Sequence, residues 1–187
     1  MKKFLLKLVA GFLFGAAMLP ATAFAGTNNG IYAPYDSFED MRAAYVDAVN
    51  RGDVEKQKEL YDLGHSTLQK EIDTSRAALS SETILRANQD EQYWISQFPN
   101  LFASGNWITR EAGISLSLNP LSVVRYGYQS DAARGWNSVY SKYRKDYRWN
   151  NTSSMEGQYY CHWRNAKVKT YWNLEPYKAT FNPYNCN

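Results

Sequence analysis

Gln158-Tyr159-Tyr160-Cys161-His162-Trp163, followed by Lys169 and Trp172-Asn173-Leu174-Glu175-Pro176, is the stretch whose reading decides the fold. It holds one of the two cysteines, one of the two histidines and two of the six tryptophans. Read with a period of two, Gln158 to Arg164 is a strand. Tyr159, Cys161 and Trp163 then share one face, toward a core. Gln158, Tyr160, His162 and Arg164 share the other, so His162 projects away from its cysteine neighbour into a polar row.

The second cysteine, Cys186, lies in the tail. In an exported chain a Cys161–Cys186 disulfide is the expectation. Closing that loop constrains the unfolded chain by roughly 3.5 kcal/mol. Two cysteines with one nearby histidine do not complete a four-ligand zinc site, so no metal is expected. No P-loop and no dinucleotide fingerprint occurs, so no cofactor is expected either.

Export is read from the first residues. Met1-Lys2-Lys3 and Lys7 make a positive start, Leu8 to Leu19 is an apolar run too short to span a bilayer comfortably, and Ala23-Phe24-Ala25 is a small-x-small cleavage site. The expected mature chain starts at Gly26 and carries no membrane span. Its formal charge is zero, but the charge is divided. Residues 26–98 hold 7 basic and 13 acidic side chains, and residues 99–187 hold 11 and 5. Such a split suits two segments that attract each other, or a basic surface open to an anionic partner.

Working outward toward the N-terminus, residues 26–36 read as a linker and 37–98 as a helical segment. Ser37 caps a helix carrying Phe38, Met41, Tyr45 and Val49 at apolar spacing. Gly52 suits a left-handed helix end and Asp53 the next N-cap, which explains Arg51-Gly52-Asp53 without an integrin-type motif. Leu60, Leu68 and Ile72 continue a second helix with an interruption expected at Gly64, and His65 reads as a surface residue. A third helix runs from Ser81 past Ile84, Leu85, Ile95 and Phe98 to a stop at Pro99.

Beyond Pro99 the period changes to two. Trp107 to Arg110 and Ile114 to Leu118 form a hairpin about Ala112-Gly113, with one face of the second strand buried and the other wet. Val123 to Tyr126 reads as a further short strand. Asp131 caps a helix with Trp136, Val139, Tyr140 and Tyr143 on one face, and Lys142, Arg144, Lys145 and Arg148 gather at its end. The fold class is therefore α+β: a helical hairpin or three-helix unit, then a small antiparallel sheet domain over residues 99–187 with one helix and one disulfide.

Several of these pieces occur in a recognisable order: Trp107-Ile108-Thr109-Arg110, Ile114-Ser115-Leu116-Ser117, Arg125, Trp136-Asn137, Gln158 with Cys161-His162, Lys169, Trp172-Asn173-Leu174-Glu175-Pro176 and Cys186-Asn187. In this order the chain resembles domain of unknown function family 2599, from about Asn106 to Asn187. The family tends to have Arg where Lys178 or its neighbour stands, and Pro after the last Cys-Asn. The resemblance implies an exported bacterial domain and carries no assigned reaction.

Two functions fit the residues. In the first, the chain is a non-catalytic binding module, secreted or at the cell envelope. Its partner is a glycan, an envelope polymer or another protein, and its contacts are Arg110, Arg125, Gln158, Lys169, Trp149 and Trp172. Aromatic faces with polar rims stack sugars, and Tyr147, Tyr171, Tyr177, Phe181 and Tyr184 add to that load. In the second, the chain is a secreted hydrolase or nuclease-like toxin. Glu175 is then the base and His162 the acid, with the Arg and Lys side chains holding a phosphate.

Overall fold

The computed structural model describes residues 30–79 and 91–186. The expected export segment, and the third helix's start at Ser81 with Ile84 and Leu85, lie outside the described residues. Among the described residues no helix is long and apolar enough to cross a membrane.

Helix α1 spans Phe38–Arg51 and α2 spans Val54–Ala77. Ser37 Oγ accepts from the Asp40 amide at 3.2 Å and Asp53 Oδ1 from the Lys56 amide at 3.0 Å, as the cap residues require. Gly52 takes φ 67° between them, so its lack of a Cβ permits the tight connection. Gly64 does not interrupt α2. A Cβ there would lie 2.8 Å from the Pro183 ring and 3.0 Å from the Tyr184 ring, so this glycine admits the C-terminal tail.

Helix α3, Glu91–Leu101, runs two residues past Pro99. Proline there forfeits one bond of the final turn, and the chain passes straight into strand β1, Phe102–Arg110. Strand β2, Gly113–Pro120, pairs antiparallel with β1 and with the short β3, Trp172–Leu174, and is the inner strand of the sheet. Leu116 and Leu118 are buried as expected, but Ser115 and Ser117 are buried too. Their short side chains sit opposite the larger Ile108 and Asn173 across the strands, so the expected wet face is covered.

Two expected strands are helices. Ser122–Arg125 is a single turn, α4, and Thr152–Asn165 is α6, following α5 at Gln129–Tyr143. In α5 Asp131 is not the cap: it stands in the first turn, and its Oδ2 accepts from the Tyr128 amide at 3.1 Å. Gln158, Tyr159, Tyr160, Cys161 and His162 are all buried, which no single strand face allows. Helix winding places Gln158, Cys161, His162 and Asn165 on one side instead. The fold is α+β, with helix α6 where the fourth strand was expected.

The main core joins the sheet's Leu116, Leu118 and Leu174 to Trp136, Tyr159 and Trp172, and also takes Leu68 and Ile72 from α2. A second cluster of Phe38, Met41, Ala48 and Leu60 is closed by Tyr184 from the tail. The Cys161–Cys186 disulfide ties that tail to α6. Nearby, Arg164 Nη1 lies 3.1 Å from Glu71 Oε2, both side chains buried, while Tyr32 donates to the other Glu71 oxygen at 2.7 Å. Burial raises the Glu71 carboxyl and lowers Arg164, so the pair costs desolvation while it positions α2 on α6.

Candidate functional site

Three of the family-like polar residues, Gln158, Arg125 and His162, hold backbone of the C-terminal segment. Gln158 has no exposed surface. Its Oε1 accepts from the Glu175 amide at 2.7 Å and its Nε2 donates to the Glu175 carbonyl at 3.2 Å, as a neighbouring strand would. Arg125 Nη1 donates to the carbonyls of Lys167 and Lys169, and Nη2 to those of Pro120 and Thr170. The same guanidinium lies 5.7 Å from the Trp172 ring centre. A fork spent on carbonyls has little left for a phosphate.

His162 is buried, with its ring stacked 6.2 Å from that of Trp172. Nε2 lies 3.2 Å from the Asn173 carbonyl, which can only accept, so Nε2 carries the hydrogen. Nδ1 is buried with no partner among the described residues. Burial, aided by the charge of Lys169, pushes the imidazole down to about 4 against the pull of the Asn173 bond, so the ring is neutral at pH 7. Glu175 is buried as well; Tyr177 OH donates to its Oε1 at 3.0 Å, and Lys178 Nζ lies 2.6 Å from its Oε2. Trp172 is fully buried and donates to the Ala166 carbonyl. Trp149 is half-buried against Trp136 and Tyr140, its Nε1 donating to Thr152 Oγ1. His65 is not a plain surface residue: it packs between Tyr61 and Phe181 and contacts the Phe181 carbonyl.

A different group of side chains faces solvent around a cleft of about 390 Å³ at the tip of the β1–β2 hairpin. It is lined by Ala112, Gly113, Ile114, Tyr147, Arg148, Asn150, Pro176 and Tyr177. Gly113 has φ 136°, and a Cβ there would lie 2.8 Å from the Tyr177 ring. The turn glycine thus supplies both the backbone angle and the seat for the tyrosine. Tyr147 is 89% exposed and Tyr177 42%, and both present ring area to the cleft.

Arg148 is fixed between two rings, 5.0 Å from Trp107 and 5.1 Å from Tyr147. Its Nε and Nη2 donate to both oxygens of Asp146, at 2.7 and 2.6 Å. That fork holds the Asp146 carboxyl down to about 2. Arg148 is therefore not a helix-end cation, since α5 stops at Tyr143. Arg110 stands exposed at the end of β1, close enough for its charge to act on Tyr177. It is the one expected contact residue beside the cleft; Lys169 is exposed on a different loop. Asn150 and the Asp146–Arg148 fork were missed, and the only signal for them was the run Asp146-Tyr147-Arg148-Trp149. Among the described residues no group of three or more His, Cys, Asp or Glu is placed to hold a metal ion.

Residues 102–185, from β1 to the tail, match a family model described as a protein of unknown function, DUF2599. The match covers the C-terminal part of the chain, somewhat less than half of its length. No curated protein and no solved structure matches the chain. The DUF2599 segment holds both the buried clamp residues and the whole hairpin-tip cleft, and the family description assigns neither a role.

Proposed function

We propose that this protein is an exported binding module, secreted or held at the cell envelope, whose hairpin-tip cleft takes a carbohydrate chain. The observation that carries this reading is the pair of solvent-exposed tyrosines, Tyr147 and Tyr177, that line one cleft together with Gly113 and Pro176. Tyrosine faces with polar rims suit the apolar faces and hydroxyl edges of sugars. The one cation that lines the cleft, Arg148, is paired with Asp146, which favours a ligand of low charge over a polyanion. Asn150 supplies an amide that can exchange hydrogen bonds with hydroxyls. The disulfide agrees with an oxidising compartment.

Acid–base cleavage by His162 and Glu175 draws no support from the geometry. The imidazole is neutral and buried, and its hydrogen is committed to a carbonyl. Calorimetric titration of the protein with oligosaccharides derived from cell-wall and capsular polymers tests the binding reading. One class should bind, and Tyr147→Ala should weaken it about tenfold, the value of one stacked ring. Binding that is unchanged in both Tyr147→Ala and Tyr177→Ala would move the ligand elsewhere.

A further inference from the structure

The turn at residues 166–169 presents an apolar tip between two lysines: Lys167-Val168-Lys169, with the Lys169 amide donating to the Ala166 carbonyl at 3.0 Å. Val168 is 91% exposed. The turn is nevertheless built rather than loose. Arg125 donates to the carbonyls of Lys167, Lys169 and Thr170, and Trp172 Nε1 donates to that of Ala166. Four backbone acceptors are thus satisfied from beneath; Val168 and Lys169 are exposed, and the part-exposed Lys167 holds its Nζ 5.4 Å from the Trp163 ring centre. Through Arg125 the turn lies against α4, whose end brings Tyr126 and Tyr128, 61% and 86% exposed. Tyr171, half-exposed, continues the patch on the other side of the turn. The charged side chains of these segments are Arg125, Arg134, Lys167 and Lys169 against Asp131, which pairs with Arg134 at 3.3 Å.

We propose that this face docks on an anionic lipid bilayer, with Val168 inserted at the headgroup boundary, Lys167 and Lys169 on anionic headgroups, and the tyrosines at the interface. An exposed aliphatic tip set between cations has little to gain from a nucleic acid or a soluble polyanion, which would engage the lysines and leave Val168 in water. At a bilayer the same three residues all find partners: the valine leaves water, and each lysine meets the surface potential. Tyrosine is the side chain whose apolar ring and polar tip suit that boundary. Docking here leaves the hairpin-tip cleft a separate site, so the two readings stand or fall independently.

Co-sedimentation with vesicles decides the matter, using residues 26–187, which hold every described element and lack the apolar N-terminal run. The parent should sediment with vesicles of one-third phosphatidylglycerol in phosphatidylcholine, stay soluble with phosphatidylcholine alone, and be released by about 0.5 M salt, where charge attraction is screened. Lys167→Glu and Lys169→Glu should each lower the partition constant about fivefold or more. Val168→Asp should lower it about tenfold, with an unchanged melting temperature because the side chain touches so little. Failure to bind anionic vesicles, equal binding to neutral ones, or undiminished binding by Val168→Asp would overturn the proposal. So would a soluble sulfated polysaccharide that binds the Val168→Asp variant as tightly as the parent. Tyr147→Ala serves as the control and should sediment like the parent.

Discussion

The buried knot around Gln158, His162, Trp172 and Glu175 and the open cleft around Tyr147, Arg148 and Tyr177 lie on either side of the same tail residue. Glu175 gives its backbone to Gln158 and its carboxylate to Tyr177. The knot has the chemically suggestive side chains and uses them on backbone; the cleft has ordinary tyrosines and presents them to solvent. Side-chain type therefore says less about role here than what each polar atom is already bonded to. A buried histidine whose N–H is given to a carbonyl, and a buried glutamate held by Tyr177 and Lys178, serve the fold, while an exposed tyrosine ring lining a cleft is available to a ligand.

Breaking the knot should cost the most. Gln158→Leu strips partners from the buried amide and carbonyl of Glu175 and from Ser154 Oγ, and should lower unfolding free energy by about 4 kcal/mol in a denaturant titration. A loss under about 1 kcal/mol would mean that the tail holds itself.

Acid should come next. His162 has its folded value lowered to about 4 from an unfolded 6.5. Between those values the unfolded chain binds a proton that the folded ring refuses, so stability falls as pH drops from 6.5 to 4 and levels off below. The gap corresponds to roughly 3 kcal/mol. The difference between the parent and His162→Gln across that window isolates this residue from His65, whose imidazole burial also lowers. Parallel stability curves for the two proteins would show that the imidazole is hydrated after all.

The cleft should respond in the opposite manner. Arg148 keeps Asp146 ionised, so that contribution is present above pH 3.8 and is lost only as pH falls through about 2. Sugar affinity should then be level from pH 7 to 4.5 while stability declines. Tyr147→Ala should shift stability by no more than about 0.5 kcal/mol, the usual range for an exposed side chain, while it weakens binding. A large stability loss in that variant would make the ring structural and erase the contrast between the two regions.

Much of the fold was legible where short-range chemistry decides it. Ser37, Gly52 and Asp53 act locally at helix ends, and the hairpin forms where the period of two was read, although Ser115 to Leu118 is buried on both faces. The stretch from Gln158 to Arg164 was misread because its tyrosines and tryptophan favour strands and its polar residues happen to alternate. Tertiary packing overrode that preference: Phe181 covers Gly157, Trp172 covers His162, and the disulfide anchors Cys161. The site was less legible for a related reason. Tyr147 and Tyr177 line one cleft from distant points in the sequence, and neither spacing nor composition shows that they share it. Of the residues expected at a site, Tyr147 and Tyr177 line the cleft and Arg110 stands beside it, whereas Arg125 and Trp172 support the lysine turn from below.

Tyr184 donates to the Leu60 carbonyl at 2.5 Å across a sequence separation of 124 residues, and it fills the space between Phe38 and Tyr45. The first two helices therefore lack a wall of their own core until the tail arrives. Such a late keystone ties the completion of the helical pair to contacts of high sequence separation, which form slowly.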